Sequence, residues 1–221
     1  DQILFHFDGN NNDEDDIAAI PVAALLAASA GIADKMTFFY GNNIAERNND
    51  SRLSVLDESA AFANGLGVAT VDYQDDIAAA TAGVVELLTS GQKILAIEGG
   101  PMEAIYRALE QTDVQFHSNI KLLSHSSWNE NRDVVNRDGV EEARTWADIA
   151  SDFPNVEQVD IQDQNAGNNN DQGFNNNGWS ALDSSDDPTL SAARDAMNGA
   201  AINGNNAKPN DPSDAGMLWF A

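Results

Sequence analysis

The chain has 221 residues, 42% of them apolar, which suits a core-forming domain and not a disordered tail. Its 36 acidic and 11 basic residues give a formal net charge of −25, which repels duplex nucleic acid and anionic membrane and leaves neutral sugars, cationic ligands and metal ions as partners. Without cysteine there is no disulfide framework, thiolate nucleophile or zinc–sulfur site, and no apolar stretch reaches the roughly 18–20 residues of a bilayer span.

Residues 3–7 read as a strand that breaks at Asp8 into a Gly-Asn loop and the cluster Asp13, Glu14, Asp15, Asp16. An alanine-rich helix is expected over 15–29, with Gly31 as its stop and Pro21 tolerated or kinking. A second strand, 36–40, runs into Gly41-Asn42-Asn43, which a parallel sheet puts at the same end as the acidic loop. A helix over 51–63, a short strand at 68–71 and a helix opened by Asp75-Asp76 follow. The strand 93–97 reaches Glu98-Gly99-Gly100-Pro101, a tight turn before a helix over 102–109, with Pro101 suited to its first position.

The strand 120–124 leads into His125-Ser126-Ser127-Trp128-Asn129-Glu130-Asn131, a polar and aromatic loop at the end where ligands gather in open α/β sheets. A helix over 140–153 and a strand over 156–161 keep the alternation going. Residues 163–178 turn to Asn, Asp and Gly, too polar to pack as core, and read as a lid or loose excursion. A short helix over 189–197 precedes Asp214 and the apolar C-terminal stretch. Alternating strand and helix predict a single α/β domain over 1–221 with a doubly wound, mostly parallel sheet and helices on both faces.

Five carboxylates lie within the nine residues 8–16, and their repulsion calls for a counter-charge, for which a hard cation such as calcium is the natural candidate. Simple helix capping by Asp13 to Asp16 is the competing reading. An EF-hand does not fit, since a loop begun at Asp8 would place Asp13 and Ala19 where glycine and glutamate belong. His125 could protonate a leaving group or serve as a structural hydrogen-bonder. Trp128, Trp146, Phe174 and Trp179 could stack on a sugar or pack in the core, with Trp128 favoured for stacking by its polar loop. Glu98 and Glu130 could pair for acid/base work or take a solvated or hydrogen-bonding role, because spacing along the chain does not give their separation.

Taken together these motifs resemble the nucleoside hydrolase superfamily, calcium-dependent glycosidases on a doubly wound fold. The strand into Phe5-His6-Phe7-Asp8 and then Asp15-Asp16-Ile17-Ala18 resembles that family's opening aspartate motif, with His6 where its first aspartate stands. Gly99-Gly100-Pro101-Met102 resembles its Gly-Pro turn, Asn129-Glu130-Asn131 its sugar-gripping loop, and Asp214 the aspartate opening its C-terminal helix, with Ser213 replacing a frequent histidine. The resemblance implies calcium held by Asp8, Asp16, Asp214 and the Gly99 carbonyl, with Asp8 also the general base on a metal-held water. It further implies sugar hydroxyls held by Asp15, Asn129 and Asn131 and an attacked carbon of oxocarbenium character.

The expectation is therefore a metal-dependent hydrolase of glycosidic bonds. Catalysis falls to Asp8 and His125, and substrate binding to Asp15, Asn42, Trp128, Asn129, Glu130, Asn131 and Trp179. The substrate is a sugar-containing small molecule or an oligosaccharide. An endo-acting glycosidase of a marine polysaccharide and a non-catalytic carbohydrate-binding domain stand as alternatives, and a homo-oligomer is left open. The chain opens at Asp1 with no basic-then-apolar leader, which suits a mature secreted or periplasmic protein without excluding the cytoplasm.

Overall fold

The structure is a computed structural model that describes residues 1–8, 14–45, 50–135, 141–161, 185–199 and 214–220, and of these all side chains except 14–16, 50–54, 134–135, 198–199 and 219–220. The expected loop at 163–178, Trp179 and the carboxyl groups of Asp15 and Asp16 lie outside this description.

Six strands form one parallel sheet: β1 (Gln2–Phe7), β2 (Met36–Tyr40), β3 (Ala69–Asp72), β4 (Ile94–Gly99), β5 (Ile120–Ser124) and β8 (Glu157–Asp160), in the order β3-β2-β1-β4-β5-β8. A two-stranded antiparallel ribbon, β6 (Val134–Val135) with β7 (Glu141–Glu142), stands apart from it. The helices are α1 (Glu14–Ala30), α2 (Asp50–Gly65), α3 (Ile77–Leu88), α4 (Glu103–Glu110), α5 (Ser127–Glu130), α6 (Trp146–Asp152), α7 (Pro188–Gly199) and α8 (Ala215–Phe220). This is the doubly wound architecture expected from the alternation. From β1 the chain winds outward to β2 and β3, then returns to lay β4 on the other side of β1 and winds away through β5 and β8.

Period-two alternation sorts the strand side chains onto two faces. Phe5, Phe7, Phe38, Ile97 and Leu123 join one core cluster with α1, α2, α7 and α8. Leu4, Phe39, Ile94, Ala96 and Leu122 join another with α3, α4 and α6. The expected helix over 140–153 is a correction: its first residues form β7, and α6 starts only at Trp146. The cause is local, because Thr145 and Asp148 close a reciprocal capping box (Asp148 N–H to Thr145 Oγ1, 3.2 Å; Thr145 N–H to Asp148 Oδ2, 2.8 Å) that fixes the helix start there. Asp76 caps α3 as its sequence suggested, accepting from the Ala79 N–H at 3.0 Å. Pro101 precedes α4 by two residues instead of opening it, with Met102 at the N-cap.

Candidate functional site at the strand ends

Because every strand of the main sheet runs the same way, the residues that follow β1, β2, β4 and β5 collect along one edge. The winding reverses between β1 and β4, and in open α/β sheets the crevice outside the carboxyl ends of the strands at such a reversal is where ligands bind. Asp8 follows β1 there and Gly99-Gly100 ends β4 beside it.

The two glycines report how tightly this crevice is packed. A Cβ on Gly100 would overlap the Asn42 amide and sit 2.8 Å from Asp8 Cβ, while one on Gly99 would sit 2.8 Å from the His6 carbonyl oxygen and 3.0 Å from Asp214 Oδ2. Only glycine allows the backbone that close. Asn42 reaches its place because Gly41 adopts a left-handed φ of 69°, and the Gln74 amide donates to the Gly41 carbonyl at 2.8 Å. Asp214, the residue before α8, accepts from His125 Nε2–H at 2.5 Å and so orients the imidazole. Asp8, Asn42, His125, Asn129 and Asp214 are all at least nine-tenths buried. Five segments separated by up to two hundred residues thus bring Asp8, Asn42, Gly99-Gly100, His125 and Asp214 together.

One row deeper, three polar side chains stand in register on neighbouring strands: His6 opposite Glu98, and Glu98 opposite Ser124. His6 Nδ1 and Glu98 Oε2 are 2.7 Å apart and both side chains are fully buried. Glu98 is therefore neither solvated nor free of partners: its side chain is fully buried and bonded to His6, whereas Glu130 is half-buried. His6 Nε2, Glu98 Oε1 and Ser124 Oγ have no hydrogen-bond partner among the described residues, nor has the Asn42 amide.

The loop after β5 is a single helical turn, α5, capped by Ser126, whose hydroxyl accepts from the Trp128 N–H at 3.3 Å. Asn129 points inward, whereas Asn131 is exposed and donates to the Ser127 carbonyl at 2.9 Å, closing that turn. Trp128 is 42% exposed and carries the Arg132 guanidinium 4.3 Å from its ring centroid. Arg132 Nε lies 3.6 Å from Glu142 Oε2 on β7. Glu142 also takes the backbone N–H groups of Ile44 and Ala45 and, with the neighbouring amide oriented nitrogen-inward, Asn43 Nδ2 at 2.9 Å. Burial dominates its titration and raises its pKa from 4.5 to about 7, against the lowering by these donors and by Arg132.

His117 Nε2–H donates to the Thr112 carbonyl, 3.1 Å away in the interior, and is structural. Trp146 packs against the α3/α4 face of the core. Sequence reasoning did not single out Ser124, Arg132 or Glu142. A glutamate in an Arg- and Asp-rich stretch carries no signal of burial, unlike Glu98, which stands out as a charge closing an apolar strand.

Among the described residues no group of three His, Asp or Glu side chains converges as a metal set. What the crevice does offer is a set of oxygen-bearing groups of the kind a hard cation takes, the His6 carbonyl and the Asp214 carboxylate against Gly99 and the Asn42 amide and Asp8 against Gly100. Compared with family models, curated proteins and solved structures, the chain matches none.

Proposed function

We propose that the chain is a metal-dependent hydrolase of glycosidic bonds whose centre is the crevice between β1 and β4. One observation carries this reading: two buried aspartates, an imidazole fixed by one of them, a buried amide without a partner among the described residues and a Gly-Gly backbone meet at the reversal point of a parallel sheet. A stability-driven core would not collect such groups, because burying each of them costs desolvation.

In this reading Asp8 takes the proton of the attacking water, and Asn42 and Asn129 hold sugar hydroxyls. His125 gives a proton to the departing oxygen while Asp214 keeps its ring oriented and stabilises the cationic form. Calcium, held by Asp8, Asp214, the Gly99 carbonyl and Asp16, would supply positive charge that positions the water and sugar oxygens. The rim favours an oligosaccharide over a free nucleoside, since Trp128 is a large exposed aromatic beside a polar cleft, suited to a further ring of a longer substrate.

Asp8→Asn tests the base. Turnover should fall at least a thousandfold on whichever nucleoside or oligosaccharide the wild type cleaves, while the melting temperature changes little; retained turnover would refute the assignment. Calcium at about a hundredfold above its dissociation constant should stabilise the fold by about 2.7 kcal/mol, lost on chelation, and an unmoved melting curve would remove the metal from the proposal.

A further inference from the structure

The Trp128 rim is built with more care than an exposed tryptophan requires. One face of the ring carries the Arg132 guanidinium, and the residue is 42% exposed. Arg132 is itself steered by Glu142, whose side chain is fully buried. Glu142 is in turn fixed from two sides. Its carboxylate gathers Asn43, Ile44 and Ala45 from the loop that presents Asn42. Its own strand is pinned to α4, where Glu103 Oε2 accepts from the Ala143 and Arg144 N–H groups at 3.2 Å each, and α4 begins just past Gly99-Gly100. A continuous set of contacts therefore runs from the Gly-Gly crevice through Glu103, the β7 strand and Glu142 to Arg132 and Trp128.

The geometry points to Trp128 and Arg132 as a preorganised stacking subsite for a pyranose ring of an oligosaccharide, with Glu142 as the positioning residue that registers it to the crevice. The ligand class rests on the glycosidase reading; the positioning does not. Stacking on a rigid aromatic gains affinity because the ring need not be ordered on binding. A carboxylate buried at Glu142 has no stability advantage of its own, since desolvation works against its charge. Its ionised form is useful for what it holds: a guanidinium over a ring, and a loop beside it.

The test uses the full chain as wild type and as Glu142→Gln, Arg132→Met, Trp128→Ala and Asp8→Asn. Nuclear magnetic resonance without ligand reads the Arg132 Nε–H, which the Trp128 ring current shields in the wild type; Glu142→Gln should return it to its unstacked position. A glycan array then identifies an oligosaccharide that the wild type retains. On it, Trp128→Ala should lose roughly tenfold in affinity or more, and Glu142→Gln and Arg132→Met roughly threefold to tenfold. Asp8→Asn should lose turnover of that oligosaccharide while keeping the Arg132 resonance of the wild type. Because Glu142→Gln is not expected to melt lower at pH 8, its weaker binding would not be a folding defect. An unmoved Arg132 resonance, full affinity in Glu142→Gln, or no retained oligosaccharide would each overturn the subsite. Binding without turnover would sink the hydrolase and leave the subsite standing, whereas nucleoside turnover untouched by Trp128→Ala would do the reverse.

Discussion

Neutralising Glu142 separates a buried charge kept for organisation from one kept for stability. Its pKa is 4.5 in the unfolded reference and about 7 in the fold, raised first by burial. Between those values the native state binds a proton that the unfolded chain has already released, so stability falls as pH rises from about 4.5 to about 7. At 1.36 kcal/mol per pKa unit, this single group costs the fold about 3 kcal/mol at pH 8 relative to pH 4. In a chain of this size that is roughly 6–12 °C of melting temperature. Asp72, raised from 3.8 to about 6 mainly by burial, and the general repulsion of 36 acidic residues act in the same direction, so the wild-type slope alone does not isolate Glu142.

Glu142→Gln does isolate it. The amide oxygen still accepts from the Ile44 and Ala45 N–H groups, and Asn43 can turn its own amide to accept from the new NH2 group, so the neutral contacts survive. Thermal and urea unfolding at pH 5 and pH 8 should show the variant close to wild type at pH 5. At pH 8 it should be more stable by up to about 3 kcal/mol, less whatever the stranded Arg132 loses with its side chain only 14% exposed. A variant that melts below wild type at pH 8 with an unchanged pH slope would refute the assignment of burial as the dominant influence on this carboxylate.

Two further substitutions probe the crevice. Gly100→Ala would drive a methyl group into Asp8 Cβ and the Asn42 amide, and should cost about 1–3 kcal/mol in urea unfolding together with most of the activity; wild-type values for both would show that the crevice has slack. Breaking the buried His6–Glu98 pair by Glu98→Leu should cost about 3–5 kcal/mol, and the double replacement His6→Leu, Glu98→Leu should recover most of it. Additive losses in that cycle would mean that the two residues do not depend on each other.

Elements whose cause lies within a few residues were legible in the sequence. The strands 36–40 and 120–124 fall where β2 and β5 stand, because β-branched and aromatic runs bounded by turn residues need no distant partner to be recognised. The same holds for α3, announced by the Asp76 cap. The crevice was legible in part: Asp8, Asn42, Gly99, His125, Asn129 and Asp214 were all picked out, since strand-end position in a parallel sheet is itself a spatial statement. Asn131 was placed with the sugar-gripping loop, yet its side chain is spent on the Ser127 carbonyl, a contact that spacing does not reveal. The β6–β7 ribbon escaped altogether. Two residues per strand carry no periodicity, and the capping box that ends it at Thr145 looks like the middle of a longer helical pattern.

What the chain could not announce is pairing across long separations. His6 and Glu98 are 92 residues apart, and each read alone is an oddity in an apolar strand. In register on adjacent parallel strands they become one unit that neither strand could bury by itself. The same logic runs through His125 with Asp214, 89 residues apart, and through Arg132 with Glu142, which joins two loops of the rim. In each case a polar group is admitted to the interior only because a second segment brings its complement. All three pairs lie at or just beneath the carboxyl edge of the sheet. The described groups that gather around Asp8 likewise come from far along the chain: Asn42 after β2, Gly99-Gly100 at the end of β4, His125 after β5 and the residue before α8.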